Sequence, residues 1–280
     1  MDLQEKVKEI YASLSAGQKK VAKHLLDHPQ KFAVHSASEI GKEVGVSETT
    51  IIRFCYSLQL KGYSELQKKV RNTLIFANSS LNEYYSSKKQ VADQPHFFAE
   101  VMEQDISGIQ RTIANLSAPD FAEAVSKLAS GDYILISGHR LSFAAAHWLN
   151  FTLRLVRDEV HLYRQDTDDL ILHLDKISEH SVFVAISFHR YVRETVKLAE
   201  LAKQAGAFVI AITDSEVAPV VEFADITLPI SRTTTSTIDA APALFSLCNA
   251  LVAGVSVQDD ERFKKRKVTY DSFHMDDFFL

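Results

Sequence analysis

The stretch VFVAISFHRYVRETVKLAELAKQAGAFVIAIT, residues 182–213, decides the fold of the larger part of this chain. Its first five residues, before Ser187, are apolar without alternation, as a strand buried on both faces requires. Residues 192–205 read as an amphipathic helix, and FVIAIT (208–213) repeats the buried strand. Strand, helix and strand in this order make a parallel crossover unit. The first strand runs out into His189, Arg190, Tyr191, Arg193 and Glu194. A purely structural strand has no need of such a cluster at its end.

The same texture extends in both directions. YILIS (133–137), a helix from about 141, VHLY (160–163) and a helix near 168–176 precede the stretch. A short helix, ITLPI (226–230) and a helix from about 237 follow it. Five such strands predict an α/β unit, a doubly wound five-stranded parallel sheet over residues 105–257. Its ligands belong at the C-terminal ends of the strands. There is no internal repeat, and low complexity is confined to TTTST (233–237).

Upstream, the texture is helical. Leu14, Val21, Leu25 and Leu26 have helical spacing, closed by Pro29. In ASEIGKEVGVSETTIIRFCYSLQLKGYSEL (37–66), a short helix to Val44 is followed by GVS and a second helical run to Leu58. Gly45 stands where a turn needs positive φ, and Gly41 where crossing helices need a small residue. Ile40, Val44, Val46, Ile51 and Phe54 form the shared core face. Ser47 is placed to cap the second helix. That leaves Glu48, Thr49, Thr50 and Arg53 outward on its first turns, the part of a helix-turn-helix that enters the major groove. Ser47, Thr49, Thr50, Arg53 and Lys61 are therefore the expected DNA-binding residues, in an all-helical domain of residues 1–76. A solvated helical hairpin is the plainer alternative.

Charge follows the same division. Residues 1–75 carry 12 Lys and Arg against 8 Asp and Glu, whereas residues 76–280 carry 19 against 28. A basic head on an acidic body suggests an anionic partner for the head. NSSLNEYYSSKKQVADQ (78–94) reads as a polar connector, so 77–104 is expected to be a linker and the start of a connecting helix, running from about 96 to 115. Residues 258–280 read as a mobile tail with a basic knot and an aromatic end, Phe278, Phe279 and Leu280, that could dock on a second subunit.

Several classes are disfavoured. Cys55 and Cys248 are far apart in apolar surroundings, unlike a disulfide framework or a CxxC metal site. The N-terminus MDLQEKVKEI lacks the apolar core of a signal peptide. The longest apolar run, 244–257, is short for a bilayer span and contains Asn249. No membrane association is expected, and the location predicted is cytoplasmic. P-loop, GxGxxG and HExxH patterns are absent. No cofactor, metal or catalytic residue is expected, with Glu194 and His189 the acid–base candidates if the chain were an isomerase.

The run from Leu14 to Val70 resembles the N-terminal domain of the RpiR family of bacterial transcriptional regulators. The resemblance rests on LS (14–15), VA before a proline, GVSETTIIRF (45–54), CYSL (55–58) and KGYSEL (61–66). Gln59 replaces a glycine usual in that family. The family pairs this domain with a sugar isomerase (SIS) domain, whose first and third strands typically end in GxGxS and SxSGxT, cradling a sugar phosphate. In SGHRLSFAAA (137–146), Gly138 and Ser142 match, but Arg140 replaces the second glycine. In SFHRYV (187–192), Ser187 matches, but His189, Arg190 and Val192 replace serine, glycine and threonine. The resemblance thus implies a DNA-binding regulator, a homodimer or higher homo-oligomer on a double-stranded operator. Its SIS-like domain would sense a small anionic metabolite, a phosphosugar or sugar derivative, through Gly138, Arg140, Ser142, Ser187, His189, Arg190 and Tyr191. Two alternatives stay open: a sugar-phosphate isomerase with a helical appendage, and a DNA-binding protein whose crevice is plugged by Arg140 or Arg190 paired with Asp214 or Glu194.

Overall fold

The computed structural model of the chain describes residues 3–76, 80–231 and 236–272. Two compact units divide it, residues 1–78 and 79–280.

The first unit is helical among its described residues: α1 (Leu3–Ile10), α2 (Ala16–Asp27), α3 (Pro29–Val34), α4 (Ala37–Val44), α5 (Glu48–Ser57) and α6 (Tyr63–Phe76). Ser15 and Ser36 open α2 and α4 with capping boxes, each hydroxyl accepting from a backbone N–H three residues on. Pro29 begins α3 at its first turn, where no amide partner is lost. Gly45 ends α4 in the left-handed conformation, at φ 72°. A Cβ on Gly41 would lie 2.9 Å from the Val46 carbonyl oxygen, so only glycine permits this approach of α4 to the turn before α5. Val21, Leu25, Phe32, Ile40, Ile51, Phe54, Leu58 and Leu66 form the core. Val44 and Val46, read from the sequence as core, are only half-buried. The Tyr63 hydroxyl donates to the His35 carbonyl at 2.9 Å and Arg71 Nε to that of Ala33 at 2.8 Å, fastening α6 to the end of α3.

The second unit begins with α7 (Ser80–Gln90), α8 (Phe97–Asn115) and α9 (Ala118–Ser130). The sheet follows: β1 (Ile134–Gly138), α10 (Leu141–Val156), β2 (Val160–Leu162), α11 (Leu170–Leu174), β3 (Val182–Ser187), α12 (Arg193–Gln204), β4 (Phe208–Thr213) and β5 (Ile226–Pro229). Helices α13 (Ala241–Gln258) and α14 (Asp260–Ser272) close the described chain. All neighbouring strands are parallel, in the order β2-β1-β3-β4-β5. Ile134, Ile136, Val184, Ile186, Ile210 and Ile212 bury against α9, α10 and α13. Their neighbours Leu135, Phe183, Ala185, Val209 and Ala211 face α12. Covering both faces is what makes the strands uniformly apolar.

Helix α13 has 18 residues and is long and apolar enough to cross a membrane by length and composition. Here it buries Leu244, Leu247, Cys248, Leu251 and Val255 in the core. Arg157 is buried at the C-terminal end of α9, donating to the carbonyls of Leu128 and Gly131. Burial pulls its guanidinium down to about 10, still charged at neutral pH.

Two segments differ from the sequence reading. The polar connector contains α7, whose Glu83 in the first turn and Lys88 and Lys89 in the last turn complement the helix dipole. The first half of the tail is α14. Its Arg266 reaches the Asp158 carboxylate and the Leu155 carbonyl, and Phe263 packs on the core. Phe278, Phe279 and Leu280 lie outside the described residues.

Candidate functional site

The first candidate surface is α5. Ser47 Oγ accepts from the Thr50 backbone N–H, leaving the hydroxyl occupied as a cap. Thr49 and Arg53 are exposed on the first two turns, as is Lys61 beyond the helix. Thr50 is turned further in than the sequence reading has it. Its hydroxyl is 2.9 Å from Ser47 Oγ, and its methyl would meet a Cβ on Gly17 at 3.1 Å. Tyr56 was missed by sequence reasoning. It is exposed three residues after Arg53, hence on the same helical face, and that spacing was the available signal.

The second candidate lies where the sheet's strand order reverses, between β1 and β3. A cavity of about 210 Å³ there is lined by Arg140, Ser142, Ser187, His189 and Arg190. The ligand site expected from the sequence did not include His139, Thr195, Leu81, Thr237 and Ile238, which line it too. Gly138 does not line it. A Cβ there would lie 2.7 Å from the Ser142 carbonyl oxygen, so this glycine lets the first turn of α10 close over the end of β1. Tyr191 is also turned aside, its hydroxyl donating to Asp214 Oδ1 at 2.8 Å. The same carboxylate accepts from the His189 backbone N–H at 3.2 Å, bracing the loop on both sides of Arg190.

Both arginines sit in backbone conformations that favour glycine. Arg140 has φ 57° and ψ −121°, and the Ser142 amide bonds back to the His139 carbonyl at 3.1 Å. This is a type II′ turn with arginine where glycine is preferred. Arg190 has φ 64°. Both side chains are exposed and, among the described residues, neither makes an ion pair with Asp214 or Glu194. The cavity therefore stands open at the arginines. Two further features favour an anion. Helices α10 and α12 both begin beside the cavity, and neither first turn is capped by a side chain. Uncapped first turns present N–H donors and the positive end of the dipole. Ser187 Oγ is buried at the cavity and has no hydrogen-bond partner among the described residues.

Behind the arginines lies a second polar cluster. His139 Nε2 is 3.4 Å from Glu194 Oε2, and His139 Nδ1 is 2.8 Å from Thr195 Oγ1. The Tyr163 hydroxyl donates to Glu194 at 3.4 Å; burial and that carboxylate hold the phenol above its usual range. Burial pushes the Cys55 and Cys248 thiols up to about 12, so neither is a ready nucleophile. Among the described residues no group of three His, Cys, Asp or Glu is placed to hold a metal ion.

A helix-turn-helix unit followed by a doubly wound unit with a cavity at its switch point defines a class: DNA-binding regulators with a built-in small-molecule domain. Residues 1–75 match the helix-turn-helix domain of the rpiR family, and residues 127–254 match the SIS domain. The chain belongs to the RpiR-type helix-turn-helix transcriptional regulators that carry a SIS domain. It is 28% identical over 225 residues to an uncharacterised HTH-type transcriptional regulator of Caldanaerobacter subterraneus subsp. tengcongensis, covering 80% of this chain and 78% of the relative. It is 26% identical over 225 residues to the HTH-type transcriptional regulator HexR of Escherichia coli, covering 77% and 73%. In fold it is similar to the Vibrio vulnificus NanR protein complexed with ManNAc-6P, with a TM-score of 0.64, 16% identity, and coverage of 96% of this chain and 97% of the other. The sugar isomerase domain of an RpiR transcription factor from Sphaerobacter thermophilus gives a TM-score of 0.59 at 22% identity, covering 64% and 99%.

Proposed function

We propose that this regulator is a cytoplasmic, non-catalytic homodimer on double-stranded DNA, and that its operator affinity is set by a small anionic metabolite of the phosphosugar class. Arg53 and Thr49 read base edges, with Tyr56 beside them, and Lys61 contacts phosphate. Thr50 and Ser47 contribute chiefly by holding the helix start. Arg140 and Arg190 grip the anion, Ser142, Ser187 and His189 contact it at the strand ends, and Gly138 and Tyr191 shape the loops. The observation that carries this reading is the pair of exposed arginines on glycine-like backbone at one cavity, neither of them ion-paired among the described residues. NanR, complexed with ManNAc-6P, supports the choice of phosphosugar. Exposed Trp148, Phe151 and Leu155 on one face of α10 support a dimer.

The test is a thermal-shift screen of phosphosugars followed by calorimetry. Arg190→Ala is expected to weaken a hit by roughly 1.5–3 kcal/mol, the scale of a hydrogen bond to a charged group. Its DNA affinity without ligand stays at the wild-type value. A lowered melting point with unchanged affinity for every ligand would return Arg190 to a structural role.

The His139–Glu194 pair favours one second reading, acid–base isomerisation of the bound sugar. Aldose–ketose interconversion that is lost in Glu194→Gln would establish it, and its absence with a tightly bound phosphosugar would leave sensing alone.

A further inference from the structure

Helix α7 contributes to the cavity from outside the segment that matches the SIS domain. Leu81 lines the cavity, as do Thr237 and Ile238 just before α13. Leu81 and Ile238 are both exposed, apolar surface that a ligand would cover. Two turns after Leu81, and so on the same helical face, stands Lys88. Its ammonium is 3.0 Å from Asp239 Oδ1 and donates to Gln104 Oε1 at 2.6 Å. The Lys88 side chain is 12% exposed and that of Asp239 4%. Tyr84 lies beneath, its ring centre 5.4 Å from the ammonium.

Helix α7 has little apolar surface to hold it in place, since Leu81 and Tyr85 are both exposed. A buried ion pair, Lys88–Asp239, is therefore among the ties that dock it. Such pairs add little net stability, and their best-attested use is to select one arrangement among several. Asp239 adjoins Thr237 and Ile238, in a segment whose turn is closed by the Ile238 amide on Ser236 Oγ at 3.2 Å. Both ends of the Lys88–Asp239 pin thus carry residues of the cavity wall. In the sequence, α7 is also the first helix after the DNA-binding unit.

We propose that the Lys88–Asp239 pair is the latch that couples occupancy of the cavity to helix α7. A ligand with its anionic group on the arginines and an uncharged carbon face on Leu81 and Ile238 tightens the latch. That fixes the segment leading into the DNA-binding unit. The inference rests on the reading of the cavity as an anion site. It goes further by assigning the carbon face of the ligand and the route of its signal. Coupling is reciprocal, so whatever loosens α7 also weakens that ligand.

The experiment uses the full chain with two probes at millimolar concentration, a mixture of hexose 6-phosphates and inorganic phosphate. Binding is read as a melting-point rise that Arg190→Ala removes, and α7 by hydrogen exchange of amides 80–90. The expected result is that both probes bind and only the hexose phosphates slow exchange at 80–90, severalfold. That slowing vanishes in Lys88→Met and in Leu81→Ser, while Lys88→Met, whose side chain lies outside the cavity lining, binds inorganic phosphate as before. Hexose phosphates that bind without slowing α7, or that slow it equally in both variants, would overturn the latch and leave the anion site standing. If neither probe binds, the anion site itself fails and the latch with it. Should Lys88→Met not fold, Leu81→Ser carries the test alone, because Leu81 is exposed.

Discussion

Arg140 and Arg190 hold backbone conformations that cost an L-residue about 1–3 kcal/mol and cost glycine almost nothing. Both face one cavity, and neither is secured there by an ion pair among the described residues. A residue kept in strain without a local contact to repay it is a candidate for function. Arg140→Gly and Arg190→Gly are therefore expected to raise stability by about 1 kcal/mol each while lowering anion affinity. Denaturant unfolding beside calorimetric titration checks both halves, and a loss of stability in either variant would contradict the strain argument. Gln59 offers an internal control. It too has positive φ, at 60°, and lies remote in sequence from the cavity loops. Gln59→Gly is expected to stabilise the first unit without touching ligand affinity. All three side chains stand where the family resemblance expected glycine, so the sequence already marked the backbone shape. It did not say where the side chains would point.

At the scale of elements, the turn between α4 and α5 follows from a few residues. Gly41 admits the Val46 carbonyl, Gly45 reverses the chain, and Ser47 restarts the helix. Gly41→Ala places a methyl 2.9 Å from backbone oxygen, so α4 and the turn must part. We expect a loss of about 1–3 kcal/mol in the first unit and weakened operator binding, with the ligand affinity of the second unit unchanged. Calorimetric melting of the full chain and gel-shift titration measure the two effects. The parallel strands were equally legible, because burial on both faces leaves no choice but continuous apolar residues. Helices α7 and α14 were not legible. Each is polar and held by a few long-range ion pairs, Lys88 to Asp239 and Arg266 to Asp158, and no periodicity announces a partner distant in sequence. The cavity was half legible for the same reason. Its arginines sit in the strand-end loops, whereas Leu81, Thr237 and Ile238 arrive from other parts of the chain.

On the scale of the whole molecule, charge and symmetry meet. Residues 1–75 carry four more basic than acidic residues, while the remainder carries nine more acidic than basic. A single head of this charge neutralises few phosphates, and two heads on a two-fold axis double the number. Each phosphate contact releases condensed counterions, so the salt slope counts contacts. The proposed dimer is therefore expected to show a plot of log affinity against log salt about twice as steep as a monomeric variant. Phe151→Lys, placing a charge in the exposed α10 stripe, supplies that variant. Light scattering gives its oligomeric state, and fluorescence anisotropy from low to physiological salt gives the slope. Equal slopes in a dimeric wild type and a monomeric variant would mean that only one head engages the DNA. The acidic second unit would then serve to repel DNA from everything except the basic helices, and the two-fold axis would carry no part of operator recognition.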